Sequence, residues 1–157
     1  MSGELFKMMA GIDMLYVPYR GLAATLSDLI AGRLQVVFGT MPSTIEYVRA
    51  GTLRALAVTT AARSDLLPDV PAMTEFLPGY EASQWYGIAA PKNTPRAVID
   101  VLNREINAAV ADPKVKARLP ELGGTPLLGT PADFARHIAA ETEKWREVVK
   151  FSGASAD

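Results

Sequence analysis

Between Leu15 and Gly39 the chain reads LYVPYRGLAATLSDLIAGRLQVVFG, and the period of its apolar positions changes twice. Leu15 to Tyr19 is β-branched and aromatic, the composition of a buried strand. After the Arg20-Gly21 turn, Ala23, Leu26, Leu29 and Ile30 recur at helical spacing, and Gly32 stops the helix. Leu34 to Phe38 is a second apolar strand. Strand, helix and strand in this order predict a βαβ unit and therefore a parallel sheet. Ligands of such sheets gather at the carboxyl ends of the strands, where helix N-termini present free amides. That place is Tyr19-Arg20-Gly21-Leu22-Ala23.

The same reading extends in both directions. Ser2 to Ala10 predicts a short amphipathic helix with Leu5, Phe6 and Met9 on one side. Thr40 suits the N-cap of a helix ending at Val48 or Arg49, with Pro42 in its first turn. Leu53 to Thr60 predicts a third strand, and Ala61 to Tyr80 a surface loop with a short helix over Met73 to Phe76. Ser83 to Ala90 predicts a fourth strand. Thr94 and Pro95 then open a helix to Ala111, with Val98, Ile99, Leu102, Ile106, Ala109 and Val110 as its apolar stripe. Asp112-Pro113 opens a helix to about Leu122, and Pro126 to Leu128 is a candidate short strand. Thr130 caps the last helix, with Phe134, Ile138, Trp145 and Val149 as the expected buried stripe and fraying from Phe151 to Asp157. The expected class is α/β.

Several of these stretches, in this order, resemble the Bug (TctC-like) solute-binding receptors of tripartite tricarboxylate transporters. The motifs are VPYRG, SDLIAGRLQVVFG, AGTLRALAVTTAARSDLLPDVPAMTEF and GYEASQWYGIAAPKNTP, followed by the helices to the C-terminus. The resemblance implies a periplasmic-binding-protein type II-like fold. Residues 1–82 would form a second-lobe α/β ligand-binding domain with flanking helices. Residues 83–157 would supply the crossing strand and returning helices of an otherwise missing first lobe. The family's small-residue turn at the start of the first helix is absent, which makes a truncated gene or a late start codon an expectation here. Departures include Leu22, where a small or hydroxyl residue is more usual, Ala72 for Thr, and Arg20, where Lys is frequent.

Composition narrows the classes. The formal net charge is −1, and no basic run interleaves with aromatics, so nothing steers toward nucleic acid or a membrane surface. No apolar run reaches the ~18 residues of a membrane span. Absence of cysteine excludes disulfides, thiolate nucleophiles and zinc–cysteine sites. MSGELFKMMAGID lacks the sequence of regions that marks a signal peptide, although the resemblance implies a periplasmic location.

Candidate chemistry centres on backbone amides. Gly21, Leu22 and Ala23 open a helix, and their N–H groups suit a carboxylate; the alternative is an ordinary turn whose amides meet water. Gly39 and Thr40 form a second turn expected on the same edge, where the Thr40 hydroxyl either meets a ligand or is a plain N-cap. Tyr19 either lines the pocket or packs at a strand end. Of Trp85 and Tyr86, one alone can face a cleft. His137, the sole histidine, reads as a surface residue. It has no nucleophile constellation beside it, and no catalytic residue, metal ligand set or cofactor loop appears.

The leading expectation is a receptor that holds a small carboxylic acid and passes it to transporter membrane subunits. With one cleft wall missing, the isolated chain is expected to bind weakly or not at all. The alternative is a self-associating or partner-binding remnant, for example a homodimer exchanging helices whose apolar stripes would otherwise be exposed. An enzyme ranks well below both.

Overall fold

In the computed structural model, which describes residues 1–154, helices begin and end where local chemistry dictates. The helices are α1 (Ser2–Ala10), α2 (Leu22–Ile30), α3 (Met41–Arg49), α4 (Arg96–Ala111), α5 (Pro113–Glu121) and α6 (Pro131–Ser152), with a 3₁₀ turn at Met73–Glu75. α1 ends at Gly11, which adopts φ +65° and donates its N–H to Lys7 O at 3.0 Å. α4 starts one residue later than the pattern predicts, because Pro95 takes the cap position with extended ψ. The Asp112 carboxylate caps α5 by accepting the Lys114 N–H at 2.8 Å. At α6, Thr130 Oγ1 accepts the Asp133 N–H at 3.2 Å while Asp133 Oδ2 accepts the Thr130 N–H at 2.8 Å, a reciprocal capping box. These bonds hold the Asp133 carboxyl below its ordinary range. α6 continues through Ser152, beyond the expected onset of fraying; residues 155–157 lie outside the described residues.

The expected parallel sheet is not found as a ladder among the described residues. Leu15–Tyr19, Leu34–Phe38, Leu53–Thr60, Ser83–Ala90 and Pro126–Leu128 carry no strand pairing with one another. One isolated parallel bridge joins Val58 to Ala72. It is made by Val58 N–H to Pro71 O at 2.9 Å and Met73 N–H to Val58 O at 3.0 Å, so Val58 pairs with the loop. The physical reason is that β-composition makes a segment ready to pair, whereas a ladder needs a second backbone about 4.8 Å away. Residues 53–57 keep the alternation of a strand: Leu53, Ala55 and Ala57 are half-buried, and Arg54 and Leu56 are exposed.

The chain divides into two compact units, Met1–Ser83 and Gln84–Asp157. In the first, Leu5, Leu26, Ile45, Val58, Ala72, Tyr80 and Ala82 are buried. Tyr80 is 0% exposed; its ring meets Phe6 edge-on at 6.3 Å, and its hydroxyl donates to Ser2 O at 3.1 Å. Burial pushes that phenol up to about 12. Phe6 also meets Phe38 at 6.1 Å, so α1 is tied to two later segments. The loop over 61–80 is fastened by one carboxylate. Glu75 accepts Arg63 Nε at 2.8 Å, Arg63 Nη2 at 2.7 Å and the Ala72 N–H at 2.8 Å. The Arg63 bonds, with Ala72 behind them, hold Glu75 at about 2.

In the second unit, Trp85 sits edge-on to Phe134 at 5.7 Å and to His137 at 4.9 Å, while Tyr86 is 87% exposed. A Cβ on Gly87 would stand 2.1 Å from Phe134 Cζ, so a side chain there displaces the ring. The buried face of α6 differs from the expected stripe. Val148 is fully buried, whereas Ile138 and Val149 are substantially exposed. His137 turns inward, its Nε2 buried without a hydrogen-bond partner. Glu141 turns inward as well: burial pushes its carboxyl up, but bonds from Lys144, Trp145 and Trp85 outweigh that and hold it down. Polar residues outside the expected stripe thus share the inward face of α6. Elsewhere in the unit, Asn107 clips the chain at Gly129. Its Nδ2 donates to Gly129 O at 2.9 Å, and its Oδ1 accepts the Gly129 N–H at 3.1 Å.

Three stability outcomes are expected. Tyr80→Phe, which removes one hydrogen bond and keeps the ring, costs about 1 kcal/mol in urea unfolding, and Tyr80→Ala about 3–5 kcal/mol. Asn107→Ala, which leaves the Gly129 N–H unpaired, costs about 1–3 kcal/mol in the same assay. Glu75 is lowered in the folded state, so its stabilisation is present above the ordinary glutamate range. It is lost as pH falls toward the folded value of about 2. Melting temperature therefore drops with acid in this window, and Glu75→Gln lowers the neutral-pH value and flattens the drop.

Candidate functional site

The three α-helices of the first unit all start without a side-chain cap, and two of these starts, those of α2 and α3, lie next to one another. α2 opens at Gly21, whose φ of +102° few residues with a Cβ adopt. No cap bond reaches the first amides of α2, and the Gly21 side has open space within 4 Å. The nearby hydroxyls point the other way. Thr25 Oγ1 donates to Gly21 O at 3.2 Å and Ser27 Oγ to Ala23 O at 3.1 Å, so carbonyls are engaged and the leading N–H groups stay uncapped. Gly21 and Ala23 are exposed, and Leu22 is half-buried.

α3 opens at Thr40, in extended conformation. Thr40 occupies the N-cap position, but its side chain does not cap: Oγ1 donates to Ser43 Oγ at 3.0 Å. Pro42 has no N–H, and the Ser43 N–H donates to Thr40 O at 3.1 Å, which leaves the Met41 amide as the donor of this turn. Gly39 brings the two starts together. A Cβ there would stand 2.6 Å from Thr44 Cγ2 and 4.0 Å from Leu22 Cδ1. Leu22 therefore reaches across to the second turn, and nothing larger than glycine fits at 39 without moving Thr44.

Tyr19 has a different employment from the one its position suggests. Its hydroxyl donates to Asp28 Oδ2 at 2.6 Å, while Arg33 Nη1 donates to Asp28 Oδ1 at 2.8 Å. The Asp28 bond raises the Tyr19 phenol, and the Tyr19 bond, ahead of Arg33, lowers the Asp28 carboxyl. This triad pins the residue before the Arg20-Gly21 turn to the far end of α2. Sequence reasoning missed Asp28 and Arg33. A signal existed: a carboxylate in the last turn of a helix opposes the dipole unless a cation or donor holds it. Arg20 is exposed.

Chemically, this is a cradle of neutral donors. Amides at Leu22, Ala23 and Met41 suit a carboxylate or another small anion. Among the described residues, no group of three or more His, Cys, Asp or Glu is placed to hold a metal ion. No described helix is long and apolar enough to cross a membrane.

The profile of the tripartite tricarboxylate transporter family receptor, TctC, matches residues 1–153. A protein encoded in the tcbD–tcbE intergenic region of a Pseudomonas species is 39% identical over 151 residues, covering 95% of this chain and 45% of the relative. Protein BugT of Bordetella pertussis is 37% identical over 152 residues, covering 96% of this chain and 47% of the relative. Among solved structures, an R. palustris protein with adipate superposes with TM-score 0.82 at 38% identity, over 97% of this chain and 51% of that one. MatC of Rhodopseudomonas palustris with bound malate superposes with TM-score 0.71 at 28% identity, over 94% and 52%. The chain thus spans about half the length of these relatives. Members are periplasmic solute-binding proteins of a transport system, a receptor family and not one of enzymes. With the profile matched over nearly its whole length, this chain belongs to the TctC receptor family of tripartite tricarboxylate transporters.

Proposed function

We propose that this chain is the ligand-holding part of a periplasmic receptor for small carboxylic acids, one that delivers them to the membrane subunits of a tripartite transporter. The observation that carries the reading is the pairing of two helix starts without side-chain caps, at Gly21 and Thr40, through Leu22 and Gly39. A ligand carboxylate accepts N–H bonds from Leu22 and Ala23 on one side and Met41 on the other. Gly21 keeps the approach clear, Leu22 supplies an apolar wall, and Thr40 borders the pocket. Tyr19, held by Asp28, fixes the turn in place. The adipate and malate of the solved neighbours support the substrate class.

Within the whole receptor, residues 1–82 act as the second-lobe α/β domain, with segments 15–19, 34–38 and 53–60 as its parallel strands. Residues 83–157 supply a crossing strand and the returning helices of the first lobe. No metal or cofactor enters this function, because amides alone satisfy the anion. A second reading, self-association, is favoured by a specific observation: Val98, Val101 and Leu102 of α4 are all substantially exposed.

Titration of the isotope-labelled chain with adipate and with malate, at millimolar concentrations and followed by backbone amide resonances, tests the receptor reading. The amides of Gly21, Leu22, Ala23 and Met41 shift saturably, and ligand at ~100 times its Kd adds about 2.7 kcal/mol of stability. Gly21→Val strains a left-handed position, turns the amides away and abolishes the shifts. Shifts that fall elsewhere, or none with any small dicarboxylate, overturn the reading.

A further inference from the structure

One residue near the far end of α2 holds the chain that leads into each of the two turns. The Asp28 side chain reaches backward along the sequence. Its Oδ2 accepts the hydroxyl of Tyr19, the residue before the Arg20-Gly21 turn, at 2.6 Å. The Asp28 carbonyl holds the chain that follows. It accepts the Arg33 N–H at 2.9 Å and the Leu34 N–H at 3.3 Å, and Leu34 begins the extended segment that runs into Gly39. A carbonyl oxygen has two lone pairs, so one group takes both donors. Arg33 adds its side chain, with Nη1 donating to Asp28 Oδ1 at 2.8 Å.

Each arm has its own source of stiffness. Asp28 lies six residues after Leu22, about 9 Å along the helix axis. The Tyr19–Asp28 bond therefore closes a ring in which α2 is the rigid side and the Gly21 turn is the corner. In the other direction the chain reverses at Gly32, whose φ of +73° favours glycine. That reversal, with the Gly32 N–H on Leu29 O at 3.0 Å, delivers Arg33 and Leu34 to the Asp28 carbonyl. The segment is held at its other end by Phe38, whose ring meets Phe6 at 6.1 Å. Gly39, Thr40 and Met41 follow directly.

We propose that Asp28 is a positioning residue for carboxylate binding, aiming the Leu22, Ala23 and Met41 amides through the two stretches of chain it holds. The proposal rests on the receptor reading and adds to it a residue outside the amide cradle on which affinity depends. Hydrogen bonds weaken steeply as the donor turns from its acceptor, and amides from two turns serve one ligand only when both turns are fixed together. Arg33 offsets the Asp28 charge, so the brace adds little repulsion toward an anionic ligand.

Titration of the isotope-labelled chain with adipate, read as Kd from the amide resonances, tests it. Asp28→Ala weakens adipate binding about tenfold, the effect of one misaimed hydrogen bond to a charged group, and moves the resonances of residues 20–23 before ligand is added. Tyr19→Phe acts in the same direction more mildly and serves if Asp28→Ala does not fold. Gly32→Val strains the reversal and also weakens binding, but the resonances it moves are those of residues 39–41. Asp28→Asn keeps an acceptor for the Tyr19 hydroxyl and recovers most of the affinity. Asn107→Ala, in the second unit, lowers stability and leaves the Kd unchanged, which separates positioning from general loosening. An unaltered chain that does not bind adipate overturns the receptor reading and this proposal with it. Binding by the unaltered chain that folded Asp28→Ala and Tyr19→Phe variants retain in full, or an equal loss in Asn107→Ala, overturns this proposal alone.

Discussion

The leading amides of an α-helix have no acceptor within the helix, and something outside must take them. The character of the candidate site comes from leaving them without a side-chain cap. At α2 the cap position is a glycine, so no side chain can fold back onto the amides. Thr25 and Ser27 engage carbonyls and leave the donors alone. At α3 the Thr40 hydroxyl is drawn to Ser43. In the second unit Asp112 closes α5 and the Thr130–Asp133 box closes α6, while α4 opens at Pro95 without a side-chain cap.

A neutral cradle has a particular consequence for specificity. Amides complement any carboxylate and impose little discrimination on the rest of the molecule, so selectivity falls to the side chains around them. Leu22 is the one that spans both turns. The turn also has to hold still, because an amide cradle works by preorganised direction. Tyr19, Asp28 and Arg33 provide this by bracing the entry to the turn against the far end of α2.

What could be read from the sequence divides along the range of the interactions. Helix starts and stops are local chemistry, and α1, the Asp112 cap and the Thr130 cap were all legible as residues. The adjacency of Gly21 and Gly39 came from the expected repeat of strand and helix, although the strands carry no ladder here. Pairing is a property of two segments, and composition describes one at a time. The bracing triad was missed for the same reason, since Tyr19 and Asp28 are nine positions apart and neither declares its partner. α6 shows a subtler limit. An apolar stripe selects Ile138 and Val149, yet the inward face takes His137 and Glu141, because an indole N–H and an ammonium make a carboxylate compatible with partial burial.

The apolar content of the chain bears on the exposed segments. Hydrophobic residues make up 49% of the sequence, while in the first unit the buried apolar set is the short group from Leu5 to Ala82 and in the second it is Val148. Such a composition is ample for a large core, and much of it stands in extended segments with one or both faces in water. Two of them are tied at one end, the Leu15 segment by Tyr19 to Asp28 and the Leu56 segment by the Val58 bridge. Their straightness thus rests on single contacts at their ends and not on a ladder.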